Sequence, residues 1–195
     1  VKRGHRVTIS CDGRVRSMVM RDKPAGARVV HVWASGVGAK SRVKQMYALF
    51  KIAVSAAALS LRFMFLRPER VVAFGGYASV PAVFAAHVWG IPTFLHEQNA
   101  AIGRANKFAI RWVKTLMTSF PNVSGITNSA TRVVYTGLPV RSDFMNLAGA
   151  PLSGDMKLLV TGGSLGAQIL DDIVPGAVAA MKNKKIFVTH QTRPE

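Results

Sequence analysis

Apolar and polar residues follow two repeating patterns along the chain. Short runs rich in β-branched residues predict strands, and longer alanine-rich runs between them predict helices. Strands that alternate with helices indicate an α/β fold with a parallel sheet. Pro175 is expected to kink or split the last helix. The predicted strands are Val7–Ser10, Val29–Trp33, Val71–Phe74, Thr93–His96, Leu116–Ser119, Val133–Thr136, Leu158–Thr161 and Ile186–Thr189, and the predicted helices are Ser41–Leu66, Ser79–Trp89, Arg104–Trp112 and Ala167–Met181.

A loop-like stretch divides this pattern into two domains. Residues 146–155 have the composition of a linker, and the strand-helix pattern starts again after them. We therefore predict a first domain over residues 1–145 and the start of a second α/β domain over 156–195. Residues 1–4 resemble the end of a helix, and no initiator methionine or signal segment precedes them. The chain is interpreted as an internal fragment.

Composition excludes several classes of protein. The 195 residues include 26 Lys and Arg against 9 Asp and Glu, a formal charge of +17, and 49% are hydrophobic, which excludes a disordered chain. The single cysteine, Cys11, excludes an intramolecular disulfide framework and a multi-cysteine zinc site, so a reducing cytoplasm is expected. The charge leaves a nucleic-acid-binding module open as an alternative. Against it, the basic residues are spread along the chain and no nucleic-acid motif is visible.

The longest apolar stretch runs from about Met46 to Leu66. Lys51 and Arg62 interrupt it, whereas a membrane span needs about 20 uninterrupted apolar residues. The favoured interpretation is a helix packed on the sheet. The alternatives are a helix that also presents an apolar, cation-flanked face to a membrane surface and, less favoured, a true span.

A glycine-rich turn follows the strand that ends near Thr161. Gly162–Ala167 opens the next helix, and free backbone N–H groups at such a turn attract phosphate, to which Ser164 would donate its hydroxyl. A purely structural turn is the alternative. The same residues satisfy Gly-x-Ser-x-Gly, the nucleophile motif of α/β-hydrolases. For a hydrolase, Asp171 and Asp172 lie on the helix after the serine, where they are not expected to orient His190 easily.

Two further clusters follow strands of the first domain. Gly75, Gly76 and Tyr77 form a second glycine turn, for which a ligand contact and a helix start capped by Ser79 are equally compatible. The polar run His96-Glu97-Gln98-Asn99 predicts hydrogen bonds to a polyhydroxylated or amide-bearing ligand, with turn chemistry as the alternative. Its spacing does not match a metal motif. Arg141 is either a phosphate clamp or an exposed, solvated side chain.

These motifs, in this order, resemble the undecaprenyldiphospho-muramoylpentapeptide beta-N-acetylglucosaminyltransferases of glycosyltransferase family 28. The resemblance covers nearly the whole chain. It rests above all on His96–Asn99 and Gly162–Ala167, with support from Gly75–Ser79 and Gly137–Arg141. It implies a GT-B fold of two Rossmann-like domains, the first nearly complete and the second only begun. It also implies an inverting enzyme of peptidoglycan and cell-wall synthesis, which serves cell shape and division. That enzyme transfers GlcNAc from UDP-GlcNAc to the C4 hydroxyl of the muramoyl sugar of lipid I and so forms lipid II.

The resemblance also assigns roles to individual residues. The matching positions place Asn99, Arg141, Ser164 and, beside it, Gly163 at UDP-GlcNAc, with Arg141 and Ser164 neutralising the diphosphate of the leaving UDP. The remaining expected site residues lie near the sugar or the acceptor: His96, Glu97, Gln98, Gly75, Gly76 and Tyr77. The family's histidine near the acceptor hydroxyl would precede Val1, so the catalytic residue is unknown and the fragment alone is expected to be inactive.

Partners and location follow from the same resemblance. We expect UDP-GlcNAc, lipid I and an anionic membrane surface as partners, no nucleic acid, and a peripheral position on the cytoplasmic face of the bacterial inner membrane. No tightly bound cofactor or metal is expected, and a divalent cation stays open because no ligand motif is visible. Leu165, Leu138 and Asp171 depart from residues common in the family, and the two leucines remove polar ligand contacts.

Overall fold

The structure is a computed structural model that describes residues 4–34, 41–127, 131–140, 144, 156–162, 167–181 and 185–192. The chain divides into two compact units, Val1–Pro139 and Val140–Glu195. The predicted linker over residues 146–155 lies outside the described residues. The roles of the two predicted domains remain predictions.

All eight predicted strands are present, and each pair within a sheet is parallel. In the first unit, β1 pairs with β2, and β3 to β6 form a four-stranded sheet in sequence order. Parallel neighbours need a crossover between them, which helices provide between β3 and β4 and between β4 and β5. The strands are β1 (Thr8–Cys11), β2 (Arg28–His31), β3 (Val71–Ala73), β4 (Thr93–Glu97), β5 (Thr115–Thr118) and β6 (Arg132–Tyr135).

Among its described residues the first unit has four α-helices, of which the pattern predicts three. These are α2 (Arg42–Leu66), α3 (Val80–Val88) and α4 (Arg104–Ala109), and α4 continues as a 3₁₀ turn over Ile110–Trp112. The short helix α1 (Arg16–Asp22) was not predicted. It has no buried residue and no side-chain cap, so neither apolar periodicity nor a capping residue marks it in the sequence.

The core of the first unit lies between the four-stranded sheet and helices α3 and α4. Leu95 on β4 and Leu116 on β5 are paired in register, and both are fully buried. Val83 of α3 and Ala109 of α4 pack against them. Because β4 has a neighbour on each side, the backbone at its carboxyl end is held in place. The side chains that follow this strand are therefore presented from a rigid edge of the sheet.

The second unit repeats the strand-helix-strand pattern. Strand β7 (Met156–Val160) pairs in parallel with β8 (Ile186–His190), and α5 (Gln168–Ala180) lies between them in sequence. The expectation that Pro175 splits this helix is wrong, because the helix runs unbroken through it. Proline removes one i to i−4 hydrogen bond, and here the turns on either side keep the helical backbone.

Candidate functional site

The carboxyl ends of β3 and β4 and the start of α4 enclose a cavity of about 390 Å³. Ligands of open parallel sheets collect at this edge. The two glycines after β3 have φ of 83° and 72°, values that favour glycine. Six of the expected site residues line the cavity. The complete lining is Gly75, Gly76, Tyr77, Glu97, Gln98, Asn99, Gly103, Arg104, Ala105 and Asn106.

Glu97, the last residue of β4, organises the loop that follows it. Its side chain is buried, and its carboxylate accepts four hydrogen bonds. Oε1 accepts from the backbone N–H of Asn99 at 3.0 Å and from Asn99 Nδ2 at 2.8 Å. Oε2 accepts from the backbone N–H of Gly103 and from Asn106 Nδ2, each at 2.8 Å. One carboxylate thus fixes the loop after β4 and the first turn of α4.

These contacts also determine the charge of Glu97. Burial raises the pKa of the carboxyl group, but the donated hydrogen bonds from Gly103, Asn99 and Asn106 outweigh it and hold the pKa below its ordinary value. Glu97 is therefore ionised at neutral pH. A buried carboxylate is tolerated here because its oxygens are paired with donors.

Asn106 connects Glu97 to the glycine turn after β3, and the sequence analysis did not identify it. Its side chain is 3% exposed, and Nδ2 also lies 3.3 Å from the carbonyl oxygen of His96. A Cβ on Gly75 would lie 3.0 Å from Asn106 Oδ1 and 3.1 Å from Nδ2. Glycine is thus favoured at position 75 for two reasons: a Cβ would crowd the Asn106 amide, and the backbone φ is positive. An asparagine inside a predicted helix is an unfavourable choice, which was the available signal.

His96, expected near the sugar and acceptor, does not line this cavity. The residue is 2% exposed and both ring nitrogens are occupied. Gln98 Nε2 donates to Nδ1 at 3.0 Å, which leaves the proton on Nε2, and Nε2 donates to the Gly137 carbonyl oxygen at 3.1 Å. The ring also lies against Phe74, with centroids 5.8 Å apart. His96 fixes the backbone at Gly137 in this arrangement.

Ser79 does not cap α3 as expected. Its backbone is helical, and no side-chain cap hydrogen bond is formed. The hydroxyl donates instead to the carbonyl oxygen of Gly76 at 2.8 Å, which closes the turn on itself. Pro81 lies in the first turn of the helix, where proline is tolerated. The glycine turn is therefore held by Ser79 on one side and by contact with Asn106 on the other.

The expected phosphate contacts Arg141, Gly163 and Ser164, and the departure Leu165, lie outside the described residues. Leu138, the other leucine named as a departure, is 53% exposed.

Contrary to the expectation for a hydrolase, an acidic side chain of the helix after Ser164 lies close to His190. Asp171 and His190 do approach each other, with 3.5 Å between Asp171 Oδ1 and His190 Nε2. The parallel pairing of β7 and β8 brings the end of β8 beside the first turn of α5, which spacing in the sequence alone did not indicate.

Metal ligands are not clustered in the part of the chain that the structure describes. No group of three or more His, Cys, Asp or Glu side chains with metal-binding geometry is found there. Cys11 is buried and free, and burial together with the neighbouring Asp12 carboxylate raises the pKa of its thiol.

Comparison with known proteins identifies relatives for this arrangement. Residues 1–118 match the N-terminal domain model of glycosyltransferase family 28. A protein of Phenylobacterium zucineum is 37% identical over the whole chain and 55% of its own length. A protein of Paramagnetospirillum magneticum is 43% identical over 67% of the chain and 38% of its own length. Both are named UDP-N-acetylglucosamine–N-acetylmuramyl-(pentapeptide) pyrophosphoryl-undecaprenol N-acetylglucosamine transferase.

A solved structure shares the fold. The crystal structure of MurG from Acinetobacter baumannii matches with a TM-score of 0.67 and 25% identity, over 98% of this chain and 53% of that one. The chain thus spans about half the length of the relatives that it matches. None of these comparisons supports the hydrolase or the nucleic-acid-binding alternative.

Proposed function

The chain belongs to glycosyltransferase family 28 and has the α/β GT-B fold of its structural relatives. From this premise we propose that the complete protein transfers GlcNAc from UDP-GlcNAc to the C4 hydroxyl of the muramoyl residue of lipid I, with inversion, in peptidoglycan synthesis. The names of the relatives support this donor and this acceptor. The alternatives of a serine hydrolase and of a nucleic-acid module have no comparable support.

The observation that carries the proposal is the cavity at the carboxyl ends of β3 and β4. Its volume of about 390 Å³ suits a sugar rather than a whole nucleotide sugar. Its wall offers amide groups of Gln98 and Asn99 and the cation of Arg104. Amides pair with hydroxyl and acetamido groups of a sugar, and a guanidinium pairs with phosphate.

The proposed roles of individual residues follow the matching positions of the family. Asn99 binds the donor sugar, while Arg141 and the Gly163-Ser164 turn neutralise the diphosphate as UDP leaves. Gly75, Gly76 and Tyr77 face the acceptor. The transfer needs no tightly bound cofactor in this proposal, and a parallel assay with EDTA or Mg²⁺ tests for a divalent cation.

Helix α2 supports a peripheral position on the cytoplasmic face of the inner membrane. It is long and apolar enough to cross a membrane by length and composition, and 17% of its most apolar window is buried. One face packs on the fold through Ser55, Ala56 and Leu59. The rest of the helix surface exposes apolar side chains: Val43, Met46, Tyr47, Leu49, Phe50, Leu61, Phe65 and Leu66.

The packed face argues for surface binding rather than a span. Ser55 Oγ exchanges hydrogen bonds with the backbone N–H and carbonyl of Trp33, at 2.8 and 2.9 Å, and Trp89 Nε1 donates to Ser60. Polar partners of this kind would be lost in lipid. Basic side chains on the helix add attraction to anionic headgroups, about 1 kcal/mol each near the surface. They are Arg42, Lys44, Lys51 and Arg62.

Acceptor-dependent UDP release tests the transfer. The complete gene product that contains this sequence is assayed with UDP-GlcNAc and a soluble lipid I analogue. We expect release only with acceptor, and Arg141→Ala to lower kcat/KM by about 10- to 100-fold, since a charge-assisted hydrogen bond contributes about 1.5–3 kcal/mol. Arg132→Ala, on β6, is the matched control and should leave the rate unchanged. A folded protein without acceptor-dependent release contradicts the proposal.

Vesicle sedimentation tests the membrane proposal. Phosphatidylcholine vesicles with and without phosphatidylglycerol are compared at low and high salt. Binding should require the anionic lipid and weaken with salt. Phe50→Ser and Phe65→Ser should each reduce partitioning about tenfold or more, because burying a phenylalanine contributes about 1.5–3 kcal/mol. Met18→Ser on α1 is the control. The proposal is overturned if neither phenylalanine substitution reduces vesicle binding, or if binding survives alkaline carbonate extraction.

A further inference from the structure

Glu97 is the one carboxylate among the described residues that line the cavity. Transfer to a hydroxyl requires that its proton be taken up, and a carboxylate in the cavity wall is the group normally considered for that task. The contacts of Glu97 argue for a different role.

The lone pairs of the Glu97 carboxylate are all occupied. An ionised carboxylate offers about four acceptor sites. The four donors described above, from Asn99, Gly103 and Asn106, occupy them at 2.8–3.0 Å. The side chain is 1% exposed. A general base must reach the proton that it removes through a free lone pair, and Glu97 has none to offer in this arrangement.

Glu97 also sets the orientation of the Asn99 amide. Its Nδ2 donates to Glu97 Oε1. Rotating the amide by half a turn would place Oδ1 against the carboxylate, where two acceptors repel each other. The charge of Glu97 therefore fixes which end of the amide is free. Asn99 Oδ1 remains available to accept a hydrogen bond from a hydroxyl or N–H group of a ligand.

The other walls of the cavity are connected to Glu97 as well. Glu97 holds the first turn of α4 through the N–H of Gly103, and it sets the amide of Asn106 in the same way as that of Asn99. Asn106 in turn lies against Gly75. The loop after β4, the start of α4 and the glycine turn after β3 thus meet at one charged group.

From these contacts, and resting on the proposed transferase function, we propose that Glu97 is a positioning residue for the donor sugar. Its ionised carboxylate sets the Asn99 amide and holds three segments of the cavity wall together. It exchanges no proton with the substrate. The base that deprotonates the acceptor is then a group other than Glu97.

Kinetics of Glu97→Gln test the proposal in the complete gene product. Glutamine has the same shape, but one oxygen becomes an NH₂ group that faces N–H donors. We expect KM for UDP-GlcNAc to rise about 10- to 100-fold while the acidic limb of the kcat/KM pH profile is retained. Asn99→Ala should give a similar rise, and the double variant should be little worse than either single one, because both changes remove the same interaction.

The opposite pattern would overturn the proposal. If Glu97→Gln leaves KM unchanged, lowers kcat by 10²-fold or more and removes the acidic limb, Glu97 is the general base. If effects of Glu97→Gln and Asn99→Ala simply multiply, the two residues do not act through each other.

A titration of the unsubstituted protein separates this proposal from the proposed function. The ¹³C signal of the Glu97 carboxyl group is followed between pH 3 and pH 8. A titration midpoint below the ordinary pKa of about 4.3 supports a carboxylate that is charged at neutral pH, and a midpoint near neutrality contradicts it. This measurement needs no activity and no variant, so it tests the permanent charge of Glu97 even if Glu97→Gln does not fold. Absence of UDP release in the same protein would instead refute the transferase function alone.

Discussion

Substitution of the two adjacent glycines after β3 tests the packing of the cavity wall. Alanine at either position must adopt a positive φ, 83° at Gly75 and 72° at Gly76, which costs roughly 1–2 kcal/mol for a residue with a Cβ. At Gly76 the new methyl group meets nothing within 4 Å. Gly76→Ala should therefore show the backbone cost alone.

Gly75→Ala carries a further cost. Its Cβ would lie 3.0 Å from Asn106 Oδ1 and 3.1 Å from Nδ2, so the Asn106 amide must move. The movement weakens the 2.8 Å hydrogen bond from Nδ2 to Glu97, and a hydrogen bond to a charged group contributes about 1.5–3 kcal/mol. We expect Gly75→Ala to destabilise the protein by about 1.5–3 kcal/mol more than Gly76→Ala. For a domain of this size the added loss lowers Tm by roughly 3–12 °C.

Thermal unfolding by circular dichroism measures this difference, with urea unfolding as the second method. The Asn106→Ala background supplies the control, because the added cost of Gly75→Ala should largely vanish once the amide is removed. Equal destabilisation by the two glycine substitutions would refute the reasoning. So would an added cost that persists without Asn106.

Three further predictions concern other buried polar groups. Ser55→Ala removes both hydrogen bonds with the Trp33 backbone and should destabilise the first unit by about 1–3 kcal/mol in urea unfolding; an unchanged midpoint contradicts it. Because the pKa of Glu97 is lowered on folding, its stabilisation is present above the unfolded value of about 4.3 and is lost as pH falls through the folded value. Urea midpoints measured from pH 6 to pH 3 should therefore fall more steeply in the native protein than in Glu97→Gln, and parallel curves would disprove the linkage. His96→Gln, which can still donate to the Gly137 carbonyl, should retain more stability than His96→Asn, whose amide nitrogen takes the place of Nδ1; the reverse order would count against the assigned tautomer.

The strands and long helices could be predicted because their signals are local. A run rich in β-branched residues such as Val71–Ala73 favours a strand from its own sequence, and the strand ends found in the structure lie within two residues of those predicted. Helix α1 lies on the surface with no buried residue, so nothing in its own sequence distinguishes it from a loop. The predicted split of the last helix at Pro175 is wrong because the loss of one hydrogen bond did not end this helix of 13 residues.

The site was only partly predictable because its contacts join residues that lie apart in the sequence. The run after β4 indicated a ligand site, and Gln98 and Asn99 do line the cavity. The partners of Glu97 lie six and nine residues further along, and those of His96 up to 41 residues away. These separations are bridged by the turn into α4 and by the pairing of the strands. A pattern of residue types does not contain that information.

The alternation of side chains along a strand explains why the polar run His96–Asn99 has a buried part and an accessible part. Successive residues of β4 point to opposite faces, so His96 and Glu97 cannot both face the same ligand. His96 bonds to Gly137 and Glu97 to the start of α4, and both are buried. Only past the end of the strand do side chains become accessible, and there Asn99 is exposed at the cavity. Ligand binding and turn chemistry were alternatives for this run in the sequence. In the structure the buried pair forms the contacts of the turn, and these contacts hold Gln98 and Asn99 at the wall of the cavity.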